Sequence, residues 1–454
     1  MSIDTFRALL NETRVRAYTR TERVPLDELD GWYTDPDSGA LRHHSGRFFS
    51  IEGVRVHLPG HAVPEWDQPL IVQPEVGILG LLVKHFDGVP HFLVQLKPEP
   101  GNCNGVQISP TVQATRSNYT GVHRGSAVPY LRYFREAGRH RVLADVRQSE
   151  HGSWFLGKRN RNMVVATDDD IEVLAGFGWL TRAELDVLLG EDDLVNMDTR
   201  SVLACLPTEP VPGGRHQERA AHTLPDLLRW ITDIRALTEL TVRPRPLHDL
   251  AQWRRHDGMI SHRTGRFFDV IGVRVEAAGR EVGQWSQPMI APRGQGLVAL
   301  LVTRIEGTLH ALVHLRTEPG CADIAELAPT VQCTPRNYDH LPAAARPVFL
   351  DEILGADPRS VLFDTMLSDE GGRFHHSSNR HLIVETTTRP EPPGFRWMTV
   401  GQLGELLRHS FYVNMQTRSL LTCLHTVETT SRRRAPRTTP TAAATVAVPA
   451  GVRT

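Results

Sequence analysis

Apolar and polar positions along the chain fall into β-rich runs broken by short turns and a few stretches of helical spacing. "GILGLLVKHFDGVPHFLVQL", from Gly77, is two such runs about Asp87-Gly88, which predicts a hairpin, and "GLVALLVTRIEGTLHALVHL", from Gly296, repeats it about Glu306-Gly307. "VQISPTVQAT", from Val106, predicts another strand. "WLTRAELDVLL" and "WMTVGQLGELL" place Thr181 and Thr399 three residues before Glu184 and Gln402, the spacing of a capping box that opens a short amphipathic helix. "LPDLLRWITDIRALTEL" has the spacing of a connecting helix.

These elements come twice in the same order. Thr111 of "PTVQATRSNY" and Thr330 of "PTVQCTPRNY" stand 219 residues apart, and that offset also aligns "GRFFSIEGVRV" with "GRFFDVIGVRV", "EWDQPLI" with "QWSQPMI", and "VQLKPEPG" with "VHLRTEPG". Toward the carboxyl end the offset becomes 218, where "VNMDTRSVLACL" meets "VNMQTRSLLTCL". The chain is a duplication, with repeats at 24–206 and 245–424. A period this long makes two domain-sized units and not a solenoid. The expected division is a first repeat at 1–208, a helical connector at 209–244, a second repeat at 245–425 and a disordered tail at 426–454. Each repeat reads as α+β, a mixed, largely antiparallel sheet flanked by helices.

Basic and acidic residues nearly cancel, 51 against 52, so no global field draws nucleic acid or an anionic membrane surface. Lys84, Lys97 and Lys158 are the only lysines among the basic residues; the rest are arginines, which fits a genomic composition habit and equally suits fork-like phosphate binding. Five cysteines with no CxxC pair fit a reducing compartment. The amino terminus lacks the build of a signal peptide and no run of 18 apolar residues occurs, so a soluble cytoplasmic protein is expected.

The repeated polar residues carry the chemistry. Thr115, Arg116, Ser117, Asn118 and Tyr119 follow a strand, as do Thr334, Pro335, Arg336, Asn337 and Tyr338. An amide, a phenol, a guanidinium and backbone N–H groups at a strand end can cradle a phosphate or sugar; equally, the asparagine can cap a turn and the tyrosine pack on the sheet. Trp32 with Trp253, and Trp66 with Trp285, offer flat faces to a nucleobase or large area to a core. Asn160-Arg161 and Asn379-Arg380 suit a diphosphate or a solvated turn. GxGxxG, GxxxxGK[ST], HExxH and GxSxG signatures are absent, and the His43-His44 and His375-His376 pairs lack zinc-site spacing.

Taken together, "GRFF", "EWDQPLI", "QLKPEPGN", "SPTVQATRSNY" and "NMDTRS", each with its second copy, resemble the nucleotide-sugar 2,3-dehydratases of deoxysugar biosynthesis over both repeats. The resemblance implies two tandem Nudix-like domains, a homodimer, no nicotinamide or other cofactor and no catalytic metal. It further implies dTDP-4-keto-6-deoxyglucose as substrate, a downstream 3-ketoreductase acting on the product, and a nucleotide-sugar pocket in each half, one of them a remnant. The pocket positions it implies are Trp32, Thr115 to Tyr119 and Ser149, with Trp253, Thr334 to Tyr338 and Ser368 opposite them. The Glu-rich metal box of a Nudix hydrolase survives only as "REAG" at 135–138, which leaves pyrophosphate hydrolysis without apparatus.

A 4-keto sugar loses its C2 hydroxyl once a base takes the proton on C3 and donors hold the C4 enolate. Lys97, Glu99, Tyr119 and His91 are the candidates for these roles, with a structural ion pair at Lys97 as the other account. Glu99 has a twin in Glu318, whereas Arg316 replaces Lys97. A non-catalytic nucleotide-sugar-binding protein and a nucleotide diphosphate hydrolase are the alternative functions.

Overall fold

Both predicted hairpins form around turns in which the two central residues have positive φ, 50° and 78° at Asp87-Gly88 and 49° and 80° at Glu306-Gly307. This geometry matches the twist of paired strands. The structure, a computed structural model, describes residues 1–116, 127–206, 219–277 and 283–434. In it each hairpin forms the centre of a seven-stranded mixed sheet. The first has the order Arg141–Ser149, Arg159–Ala166, Gly77–Phe86, Val89–Pro98, Phe177–Thr181. Arg159–Ala166 runs parallel to Gly77–Phe86, as Ser378–Glu385 does to Gly296–Ile305 in the second half. The period of two is visible in the packing. Ile78 and Leu82 face Leu93, Phe134 and Trp179, while Leu79, Leu81 and Val83 face Phe6, Leu10 and Leu185 on the other side.

The stretch expected to be one strand is two. Val106–Pro110 pairs with Val89–Pro98, and Val112–Ala114 with Gly77–Phe86. Thr111 stands at the break, where its Oγ1 accepts from Leu82 N at 2.9 Å and donates to Leu93 O. One hydroxyl thereby satisfies a donor and an acceptor where the pairing of the hairpin strands ends. Thr330 does the same for Leu301 N and Leu312 O. The recurrence of this threonine in both copies has a structural cause.

Both capping boxes are present, at Thr181 with Glu184 and at Thr399 with Gln402. The connector forms a helix over Leu224–Leu237 whose Leu227 and Ile231 join the core of the second half. The last helix, Met415–Arg434, runs past the expected boundary at 425. Residues 207–218 of the connector region and 435–454 of the tail lie outside the described residues. Among the described residues no helix is long and apolar enough to cross a membrane.

The halves exchange strands, which the offsets alone do not reveal. Thr19–Val24, ahead of the first repeat, pairs along Phe268–Ala277 of the second; Thr241–Arg245, ahead of the second, pairs along Ser50–His57 of the first. Gly272 and Gly53, the glycines of the two "GVRV" motifs, admit the incoming strands, since a Cβ at either would lie 2.5 Å from the carbonyl oxygen of Val24 or Arg245. A shared core follows, in which Leu26, Leu29, Trp32 and Phe49 pack with Leu247, Leu250, Trp253 and Phe268. Two buried arginines complete the joint. Arg200 donates to Ser368 O at 2.7 Å and to Ser419 Oγ at 3.1 Å; Arg418 donates to Ser149 O at 2.5 Å and to Ser201 Oγ at 2.9 Å.

Candidate active site

The remaining repeated motifs converge in each half on one polar chain. In the first, Gln113 Nε2 donates to Glu99 Oε1 at 3.1 Å and Asn196 Nδ2 donates to Gln113 Oε1 at 3.2 Å, so "EPG", "PTVQ" and "NMDTRS" are linked through side chains. In the second, Gln332 donates to Glu318 at 3.2 Å and Asn414 to Gln332 at 2.8 Å. Asn196 and Asn414 also cap their helices, accepting from Thr199 N and Thr417 N. Each "EPG" turn clasps the opposite half: Gly101 N donates to Gly371 O at 2.8 Å, and Gly320 N to Gly152 O at 2.7 Å. The clasp carries the 370–373 turn of the second half to Glu99, with Glu99 Cβ 3.0 Å from the point where a Cβ on Gly371 would lie.

Around this symmetric frame the charges differ. On the side of Glu99 stand Lys97, at 3.2 Å from it, and Glu150, Asp198, Glu370, Lys158 and Arg373. At the matching positions of the other copy are Arg316, Asp369, Gln416, His151, Ser377 and Trp154. Burial dominates the protonation of the first set. It pushes Asp198 well above the usual carboxylate range, helped by the charges of Glu150, Glu370 and Glu99. It raises Glu150 against the pull of Arg418, and it lifts Glu370 to about 7 with Glu99 adding to the rise. Burial also draws Lys158 down to about 8. A group of titratable side chains displaced toward neutrality is suited to moving protons. On the opposite side Arg316 pairs with Glu318 at 3.0 Å and His151 with Asp369 at 3.1 Å, while Glu326, which accepts from Ser149 at 2.5 Å, is raised by burial.

A cavity of about 580 Å³ opens beside the first cluster, lined among the described residues by Pro74, Glu75, Val76, Ile78, Arg116, Arg135 and Arg161. Its size suits a drug-sized or nucleotide-sized ligand. Glu75 connects cavity and cluster, since its carbonyl accepts from Lys158 Nζ at 2.6 Å. The second half has Pro335, Leu354 and Arg380 where the three arginines stand. Its counterpart of Glu75 is Gly294, which Arg336 covers so closely that a Cβ there would lie 2.4 Å from Arg336 Cδ.

The structure brings Lys97, Glu99, Thr115, Arg116, Asn160 and Arg161 into this region. Asn160 bridges Gly77 N and Glu150, as Asn379 reaches Asp369, and neither lies in a solvated turn. Arg161 pairs with Asp145 at 2.6 Å and Arg380 with Asp364 at 2.7 Å. Ser117, Asn118 and Tyr119 lie outside the described residues. Thr334 precedes the short helix Pro335–Tyr338; Asn337 accepts from Phe267 N at 3.2 Å, and burial raises Tyr338, whose hydroxyl meets Arg316. Four groups stand elsewhere. Ser149 and Ser368 are buried between the halves, on Glu326 and Gln107. Trp32 and Trp253 are core residues whose Nε1 groups donate across the joint to Ser286 O and Asp67 O. Trp66 and Trp285 donate to Gln68 and Gln287, which hold Ser153 O and Gly372 O. His91 pairs with Lys84 at the hairpin end of its strand, six residues from Lys97 or roughly 20 Å along an extended chain.

Sequence reasoning passed over Glu150, Lys158, Asp198, Glu370 and Arg373. The signal lay in the differences between aligned copies, because each of these positions changes chemical character or length where its neighbours repeat. The family model for NDP-hexose 2,3-dehydratase matches residues 4–206 and again 224–424. A dTDP-4-dehydro-6-deoxy-alpha-D-glucopyranose 2,3-dehydratase of Streptomyces violaceoruber is 50% identical over 416 residues, covering 90% of this chain and 94% of that one. Proteins of the same name from Saccharopolyspora spinosa and Amycolatopsis orientalis are 48% and 45% identical over 428 and 433 residues, covering 90% and 94% of this chain and 88% and 90% of theirs. Both repeats, with the polar frame that links their motifs, therefore place the chain in the NDP-hexose 2,3-dehydratase family.

Proposed function

We propose that this protein dehydrates dTDP-4-keto-6-deoxy-D-glucose across C2 and C3 to a 3,4-diketo-2,6-dideoxy sugar nucleotide, and that the first-half cavity is the working pocket. The observation that carries the reading is the adjacency of a three-arginine cavity to a buried cluster of lysines and carboxylates. Arg116, Arg135 and Arg161 hold the diphosphate, as guanidinium forks do. The sugar then points past Glu75 toward Lys97 and Glu99. Glu99 takes the C3 proton and the Lys97 ammonium stabilises the negative charge that grows on the C4 oxygen. A positioned base contributes ~10²–10⁴-fold, and a preorganised cation at the enolate oxygen ~10²–10³-fold. Loss of the C2 hydroxyl gives an enol, which tautomerises to the diketone.

Each half is Nudix-like, supported by the mixed sheet with one parallel pair at its centre. The enzyme works as a homodimer in the cytoplasm, within deoxysugar assembly for antibiotics, and hands its reactive product to a 3-ketoreductase.

The test is incubation of purified protein with the substrate in deuterated water and EDTA, with a 3-ketoreductase and NADPH as the trap, followed by mass spectrometry. A trapped dTDP-2,6-dideoxy-4-keto sugar is expected. Intact substrate, with binding visible by calorimetry, would leave a binding protein; released dTMP would make it a hydrolase.

A further inference from the structure

Asp198 differs from its buried neighbours in one respect. It is 3% exposed, yet among the described residues its carboxyl makes no hydrogen bond or ion pair. It sits in the first turn of the Met197–Ala204 helix, where the helix dipole favours an ionised aspartate. Burial and the charges of Glu150, Glu370 and Glu99 act the other way, and outweigh Lys97. Arg200 and Arg418 are also close enough to feel its charge, but their guanidinium groups are already donating to backbone carbonyls and serine hydroxyls. His151, against Met197, is held by Asp369. Burial thus favours the protonated form of the Asp198 carboxyl, within electrostatic reach of Lys97 and Glu99, the residues proposed to act on C3.

The matching position in the second half is Gln416, whose amide is tied to the His151 ring. No acid stands there. We propose that Asp198 is the general acid that protonates the departing C2 hydroxyl, and that its presence in one copy alone makes the first-half pocket the catalytic one. This rests on the dehydratase reading above.

The step balances. Glu99 gains the proton of C3 as the C3–H bond breaks and the C4 enolate forms. The enolate electrons restore the C4 carbonyl and make the C2–C3 double bond. The C2–O bond breaks, and the hydroxyl leaves as water with the proton of Asp198. Tautomerisation gives C2 a proton and takes one from O3. One proton then returns from Glu99 to Asp198 through the cluster or the released water, and the net change is loss of water.

An acid needed only for departure separates two measurable events. Asp198→Asn keeps the shape and removes the proton. In deuterated water this variant is expected to lose at least about 100-fold in trapped product, while recovered substrate still gains one deuterium at C3 and dTDP binding by calorimetry stays within about threefold. Elimination within about fivefold of wild type, or joint loss of exchange and elimination with binding intact, would overturn the assignment. If the variant does not fold, Asp198→Gln decides by the same two readings. There the residue of the second copy removes the acid as asparagine does, and elimination within about fivefold of wild type refutes the proposal. Wild-type protein showing neither exchange nor product would instead sink the dehydratase reading itself.

Discussion

The two "EPG" clasps admit a sharp perturbation, Gly101→Ala. A Cβ on Gly101 would lie 1.8 Å from the carbonyl oxygen of Phe374, far inside the 3.0 Å that real Cβ atoms keep, and the obstacle is backbone. The turn must retreat by ~1 Å, and the hydrogen bonds from Gly101 N to Gly371 O and from His376 N to Gly101 O, both 2.8 Å, open with it. Each buried backbone pair lost costs ~1–3 kcal/mol, so the clasp weakens by ~2–6 kcal/mol. Hydrogen exchange followed by mass spectrometry reads this directly, because ~3 kcal/mol of easier local opening is roughly a 100-fold faster exchange at 98–103 and 371–376. The same retreat separates Glu99 from Glu370, and a 1 Å misplacement costs roughly 100-fold in rate. Gly320→Ala, with its Cβ 1.6 Å from Phe155 O, should loosen the second clasp as much yet lower the rate at least roughly tenfold less, since the proposed working pocket lies on the other side. Gly138→Ala, with nothing near its Cβ, is the neutral control. Exchange at Gly101→Ala within about threefold of wild type, together with an unchanged dehydration rate, would refute the reasoning.

Three further outcomes are expected. Arg135→Leu, which installs the residue of the second copy, should raise the dTDP dissociation constant ~10–100-fold by calorimetry with little change in the chemical step, because a charge-assisted contact to phosphate is worth ~1.5–3 kcal/mol. Arg418→Met leaves Ser149 O, Val413 O and Ser201 Oγ without their donor and should lower the urea unfolding free energy by at least ~3 kcal/mol, with both halves lost in one transition. Glu370, lifted from 4.5 to about 7, binds more proton folded than unfolded between those values. The stability it contributes is present below about pH 4.5 and is lost as pH rises through about 7, a difference of ~3 kcal/mol. Urea midpoints measured from about pH 5 to 8 should therefore fall less with rising pH in Glu370→Gln than in wild type.

What the sequence reveals here follows from which interactions are local. Hairpin turns and capping boxes are decided within four residues, so Asp87-Gly88, Glu306-Gly307, Thr181 and Thr399 could be read directly. Duplication could be read because whole motifs recur. The exchange of Thr19–Val24 and Thr241–Arg245 could not, because an edge strand pairs through its backbone and its own residues do not name the partner. The tryptophans show the same limit. Trp32 as a stacking surface and Trp32 as a core residue look identical until Ser286 O is found on its indole nitrogen. Glu370 belongs in sequence to the second repeat and in space to the charged cluster around Glu99 of the first, so scanning either repeat alone misses it.

The exchange also explains how one duplicated chain can tolerate unequal halves. A repeat that folded alone would have to keep its own pocket lined with its own residues. Here each clasp brings the turn after one half's strand to the glutamate of the other, so a change at position 370 alters the first-half cluster and a change at position 151 alters the second. The frame of Glu99, Gln113 and Asn196 is held in both copies because it caps a helix and links three motifs, and its loss would cost stability on either side. Lys97, Glu150, Lys158 and Asp198 carry no such duty twice. Their counterparts Arg316, Asp369, Ser377 and Gln416 fill the second site with paired groups, which satisfy burial. A titratable cluster in one copy and ion-paired packing in the other are thus two solutions to the same buried polar space.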